Sequence, residues 1–152
     1  MRRKIKNVIM LLSFLLLVVT IVERQTIQIE AGTKDGTYYF SSCYATKFQV
    51  KNNKLTLKVS KSDDSGITKK NDDNYKKYKL TLKVSKNCKY ILEEYYRMTG
   101  ESSRRRGSYS DVQESVAFDR AYYKSYGVCN TVGLSRIVVK NNRVVKMVHF
   151  QM

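Results

Sequence analysis

The sequence predicts a β-rich domain, mainly β with one helix, whose elements follow in the order β-β-β-α-β-β. Two repeats and one amphipathic segment carry the prediction. Leu55-Thr-Leu-Lys-Val-Ser-Lys61 recurs letter for letter as Leu80-Thr-Leu-Lys-Val-Ser-Lys86, and each copy alternates apolar and polar residues with the two-residue period of a half-buried strand. Val50-Lys-Asn-Asn-Lys54 recurs as Val139-Lys-Asn-Asn-Arg143. Asn accepts the positive φ of a tight two-residue connection, so each Asn-Asn pair between apolar runs is a hairpin turn. The spacing of the first repeat does not continue, which excludes a solenoid.

A chain of 152 residues holds one domain at most. Residues 1–31 read as an export signal: Arg2, Arg3, Lys4 and Lys6 form a basic start, and Val8 to Val22 is an apolar run broken only by Ser13 and Thr20. At 1.5 Å per residue the run reaches roughly 22 Å, short of the roughly 30 Å of hydrocarbon in a bilayer, so a cleaved signal is favoured over a retained anchor. Residues 32–152 then form the single exported domain, secreted or held at the cell surface. Its first hairpin specifies its own register: with Asn52-Asn53 as the turn, Val50 faces Leu55, Phe48 faces Leu57 and Thr46 faces Val59. Ser62 to Lys77 is almost free of apolar residues and reads as a surface loop. Leu80 to Lys86 is the third strand, while Cys88 to Gly107 fits either a short helix or a prolonged strand.

The helix is expected from about Asp111 to Tyr126. Ser110 and Gln113 have capping-box spacing, Gly127 stands at a left-handed C-cap position, and Val112, Val116, Phe118, Tyr122, Tyr123 and Tyr126 share one face that Ser115 and Asp119 interrupt. In the last hairpin Ile137 would face Lys146 while Val138 faces Val145, which calls for a bulge or for strands apolar on both sides.

Strand order and hairpin phrasing together resemble a small OB-like five-stranded barrel over Tyr38 to Met152, with its helix between the third and fourth strands. The "Leu-Thr-Leu-x-Val" strand and the terminal "Val-Lys-Asn-Asn-Arg-Val-Val-Lys" hairpin are similar to those of small exported bacterial OB-like domains. The resemblance implies a fold and no activity. OB-folds that hold single-stranded nucleic acid stack bases on aromatic residues of strands two and three and grip them with two loops. Here the outward positions are Thr56, Lys58, Ser60, Thr81, Lys83 and Ser85, and both loops are minimal Asn-Asn turns. Sequence-specific nucleic acid is therefore disfavoured as a partner.

Charge is the strongest functional signal. The chain carries 29 Lys and Arg against 13 Asp and Glu; with five bases and two acids in 1–31, the remainder keeps 24 and 11, a net +13. Lys58, Lys76, Lys77, Lys83, Arg104, Arg105 and Arg106 are the candidate contacts, with the three arginines in a Ser- and Gly-flanked loop. Such clustering attracts anionic wall polymers or a membrane surface, and serves otherwise as a solubilising face. Three cysteines in an oxidising compartment suggest a Cys88 to Cys129 disulfide around the helix, leaving Cys43 over; another pairing, or three reduced core thiols, are the alternatives.

Enzyme chemistry finds little support. The single His149 is remote in sequence from any nucleophile motif, and no metal-ligand spacing occurs. Asp63, Asp64, Asp72 and Asp73 lie among lysines without a calcium-loop glycine, and Glu93 and Glu94 are adjacent and diverge. The expected function is an exported, non-catalytic binding or accessory module of the cell envelope, without metal or cofactor, that contacts anionic polymers. The rivals are a small secreted enzyme or toxin and a membrane-anchored structural surface protein.

Overall fold

Alternation in the sequence becomes alternation across a sheet. The computed structural model describes residues 35–63, 66–96, 98–129 and 133–151, and the expected export leader at 1–31 lies outside them. Among the described residues stand nine strands: β1 (Gly36–Phe40), β2 (Ala45–Lys51), β3 (Lys54–Val59), β4 (Ile67–Lys69), β5 (Asp72–Lys77), β6 (Lys79–Tyr96), β7 (Glu101–Gly107), β8 (Ser135–Lys140) and β9 (Arg143–Gln151). One α-helix, α1 (Tyr109–Tyr126), lies between β7 and β8, and a 3-10 turn (Ser42–Tyr44) separates β1 from β2. The strands form one sheet in the order β2-β3-β6-β9-β8-β1-β4-β5, with β7 added alongside β6. The sheet curls into a half-barrel, and β6 and β9 are parallel neighbours.

The first hairpin has the register its apolar residues demand, with Val50 opposite Leu55 and Phe48 opposite Leu57. Its far end differs: Ala45, not Thr46, meets Val59, because the register shifts between Ala45 and Lys47 and leaves Thr46 exposed. Asn52 and Asn53 have φ of 50 and 55°, Asn141 and Asn142 of 50 and 56°, the conformation of a two-residue turn that suits the strand twist. In the second hairpin the bulge is present. Val138 pairs with Lys146 and Val139 with Val144, so Val145 is the extra residue, which lets Val144 and Met147 both face the core. Leu55, Leu57, Leu80, Ile137 and Val144 are fully buried in that core. Leu82→Ala, at a residue 3 % exposed, is expected to cost about 2 to 5 kcal/mol in urea unfolding.

Three expectations are corrected. Nine strands replace five, so the order β-β-β-α-β-β is extended. The first strand is broken at the 3-10 turn, which places Cys43 in that turn, and within the expected loop at 62–77 the stretches 67–69 and 72–77 are β4 and β5. Ile67 is fully buried, the Tyr75 ring meets Tyr38 edge-on at 5.3 Å, and Asn71 at φ 60° makes the turn, so two apolar residues suffice for a polar terminal strand. Of the two alternatives left open at 88–107 the strand is the one present: 88–96 prolongs β6, and 101–107 returns beside it as β7. Leu92 alternates inward and is fully buried, whereas Met98 is wholly exposed. The three arginines therefore lie on β7, paired with Ile91, Leu92 and Glu93.

The helix begins earlier and is turned relative to expectation. Ser108 is the N-cap: its hydroxyl accepts from the Asp111 N–H and the Asp111 carboxylate accepts from the Ser108 N–H at 2.6 Å, while Ser110 only joins the Ser108 hydroxyl. Those Ser108 bonds hold Asp111 below the ordinary 3.8. The capping contribution is thus present at neutral pH and lost as pH falls through the lowered value, and Asp111→Asn should flatten the acid limb of urea stability measured at stepped pH. The C-cap is Gly127 at φ 70°. The buried face is Val112, Ser115, Val116 and Asp119, and Phe118 and Tyr126 point outward at 58 and 68 % exposure. Helix side chains also close the free edge of β2, where the Tyr109 hydroxyl accepts from the Val50 N–H at 2.7 Å and Arg120 donates to the Thr46 carbonyl at 2.8 Å.

Candidate anion-binding face

The outward residues of β2, β3 and β6 are set by the same alternation that sends Phe48, Leu57 and Leu80 inward. Register brings them into rows across the sheet. Lys47 stands opposite Lys58, and Lys58 opposite Lys79. Lys51 stands opposite Lys54, Lys54 opposite Lys83, Lys83 opposite Arg143, and Arg143 opposite Lys140. All eight side chains are exposed. With strands about 4.8 Å apart, the five-residue row spans roughly 19 Å. Between the two rows lies a neutral polar one, Gln49 opposite Thr56 and Thr56 opposite Thr81.

No carboxylate occupies a position in these rows, and none of the eight cations makes an ion pair with a described residue. Asp35 lies past the end of the longer row, where the Asn142 and Asn141 N–H groups hold its carboxyl below the usual range and Lys140 adds to the effect. Like charges directly opposite one another on a sheet destabilise it. That cost is repeated along two rows.

The basic face continues along β6 and β9. Lys89 stands opposite Lys146 beyond the register shift that follows Val84, and together with Ile91, Arg104, Arg105 and Arg106 they line an open cleft of about 350 Å³. The arginines differ in availability. Arg104 lies 3.5 Å from Glu93 and Arg105 3.3 Å from Glu94, while Arg106 makes no ion pair among the described residues. Glu93 is shared with Arg136 at 2.6 Å. Glu94, held ionised by the Tyr96 hydroxyl and then by Arg105, has its pKa lowered from 4.5. Both carboxylates are thus engaged as partners of arginines, Glu93 of Arg104 and Arg136 and Glu94 of Arg105.

Of the sequence-predicted contacts, Lys58 and Lys83 lie in the rows and Arg104, Arg105 and Arg106 border the cleft. Lys76 and Lys77 do not join them by register. They stand on β5, the far end of the sheet path, their ammonium groups over the rings of Tyr78 and Tyr75 at 5.9 and 5.6 Å. The residues that sequence reasoning missed are Lys47, Lys51, Lys54, Lys79, Lys140 and Arg143. Their signal was available in part, since Lys51, Lys54, Lys140 and Arg143 flank the two repeated Asn-Asn turns.

A second cluster is buried beneath α1. The Ser42 hydroxyl donates to Asp119 Oδ2 at 2.5 Å, His149 Nε2 lies 3.2 Å from the same oxygen but off the line of a hydrogen bond, and His149 Nδ1 meets the Ser135 hydroxyl at 2.8 Å. The connectivity is that of a serine, histidine and aspartate relay. Ser135, His149 and Asp119 are 1, 0 and 2 % exposed, so a substrate has no approach, and the cluster works as a polar tie between α1, the 3-10 turn and β8 and β9. All three cysteines are free thiols. Cys88 lies beside Tyr90, whose ring packs on Tyr109 at the start of α1, whereas Cys129 follows its end.

Among the described residues, no helix is long and apolar enough to cross a membrane. The chain matches no family model, no curated protein and no solved structure.

Proposed function

We propose that the domain is an exported, non-catalytic binding module of the cell envelope that contacts an anionic polymer through the basic outer face of its sheet. The observation that carries this reading is the pair of cross-strand rows, eight exposed cations without an interleaved acid. A merely solubilising surface gains nothing from setting like charges opposite one another, whereas a linear polyanion laid across the strands would neutralise a row at a time. The absence of aromatic residues from row positions favours charge over base stacking.

The finer OB-like reading belongs to the same proposal. What supports it is the path β2-β3-β6-β9-β8-β1, in which β1 and β2 act as two halves of one interrupted first strand and β6 and β9 lie parallel. On that reading β4, β5 and β7 are additions, and the basic rows cross the second and third strands, where OB-folds hold their ligands and where Lys54, Lys58, Lys79 and Lys83 stand.

Titration of labelled inorganic polyphosphate against residues 32–152 at stepped salt tests the proposal. Affinity is expected to fall steeply as salt rises, through release of counterions, and single-stranded DNA of different sequences should bind with similar strength. Lack of any affinity at low ionic strength would overturn it. Binding only to vesicles rich in phosphatidylglycerol would reassign the face to a membrane surface.

A further inference from the structure

Two cysteines far apart in sequence converge at the end of α1. Cys43 is buried in the 3-10 turn that α1 packs against, at 2 % exposure, and Cys129 follows the Gly127 C-cap. The Cys129 thiol is within hydrogen-bonding reach of Cys43 and of Ser41. Cys88 lies elsewhere, in the register shift of β6, with its thiol against the Lys89 carbonyl at 3.9 Å and beside Tyr90.

We propose that the oxidised protein carries a Cys43 to Cys129 disulfide that fastens the end of α1 to the turn between β1 and β2, with Cys88 left as a thiol. Its occurrence in cells rests on the export reading above; the pairing itself rests on the fold. The oxidant is a small-molecule or protein disulfide of the exported compartment, represented by oxidised glutathione. The Cys129 thiolate attacks one glutathione sulfur and releases glutathione thiolate, which takes up a proton. The Cys43 thiolate then attacks the Cys129 sulfur of the mixed disulfide and releases the second glutathione. Two protein thiols lose two electrons, one glutathione disulfide gains them, and both protons end on glutathione. Burial pushes the Cys129 thiol up to about 12 and Cys88 up to about 11, so exchange is slow at neutral pH, and only Cys129 has a neighbouring cysteine to complete it.

The test incubates purified protein with oxidised glutathione under mildly alkaline conditions and maps non-reduced peptides by mass. A peptide joining Cys43 to Cys129 with Cys88 free is expected. The oxidised form should melt about 10 °C above the reduced one, because the bridge closes a loop of roughly 86 residues. Cys88→Ser should keep that shift and Cys129→Ser abolish it; Cys129 is only half-buried, so its variant folds even if Cys43→Ser does not. Recovery of three free thiols, or of Cys88 joined to either partner, overturns the proposal. Reduced cysteines in cells alongside a bridge formed in the tube keep the pairing and overturn the export reading.

Discussion

Replacing Lys54, Lys83 and Arg143 together by Gln is expected to weaken polyphosphate binding about 100-fold near 0.1 M salt and to leave affinity near 1 M salt almost unchanged. The three residues are consecutive members of the longer row, opposite one another across β3, β6 and β9. For a flexible single-stranded polyanion each neutralised charge contributes roughly 0.7 to the slope of log affinity against log salt, so losing three contacts removes about 2 from that slope. Folding stability should be unchanged or slightly raised, since the substitution relieves like-charge pairs across the sheet. Fluorescence anisotropy at four salt concentrations gives the slope directly, and urea unfolding gives the stability. A slope unaltered by the triple replacement would separate binding from the rows, and a control at Lys76 and Lys77, which lie on β5 at the other end of the sheet path, should change it less.

Asp119→Ala is expected to cost about 2 to 3 kcal/mol, because its carboxylate is closed from water beneath α1 and accepts a buried hydrogen bond. Its carboxylate is the common partner of the Ser42 hydroxyl and of His149 Nε2, and all three side chains are closed from water. Removing it leaves the buried Ser42 hydroxyl without its acceptor and opens space between α1 and the sheet beside His149. Asp119→Asn keeps an oxygen for Ser42 and should lose less. Urea unfolding measures both, and a cost below about 1 kcal/mol for the alanine variant would mean that water replaces the carboxylate.

The two hairpins and their Asn-Asn turns were legible because local chemistry determines them: one register keeps Phe48, Val50, Leu55 and Leu57 on the same side, and Asn tolerates the φ required. The long β6 was half legible, since consecutive Ile91 and Leu92 are both buried although they point to opposite faces, which erases the alternation that identifies a strand. The helix was found but turned the wrong way. Ranking residues by hydropathy placed Phe118, Tyr122 and Tyr126 inside and treated Ser115 and Asp119 as interruptions, whereas the positions 112, 115, 116 and 119 form the buried stripe because Asp119 has buried partners. No helix-local pattern could supply those partners, which come from residues 42 and 149. Of the two rows only Lys58 and Lys83 were seen, because the rows exist only once β2, β3, β6, β9 and β8 lie side by side.

The ends of the sheet path carry a consequence for self-association. A half-barrel leaves its terminal strands with backbone groups that a second copy of the chain could pair with, the usual route to strand-swapped and fibrillar aggregates. At β2 two side chains of α1 occupy the outward hydrogen-bonding sites, Tyr109 on Val50 and Arg120 on Thr46, so docking of the helix also caps the strand edge. At β5 no described helix lies alongside, and the strand Asp72–Lys77 protects itself with two acids and two lysines in six residues. Any event that frees α1, such as loss of the Asp119 tie, would therefore uncover β2, an edge whose inner face is apolar, and convert a stability defect into a colloidal one.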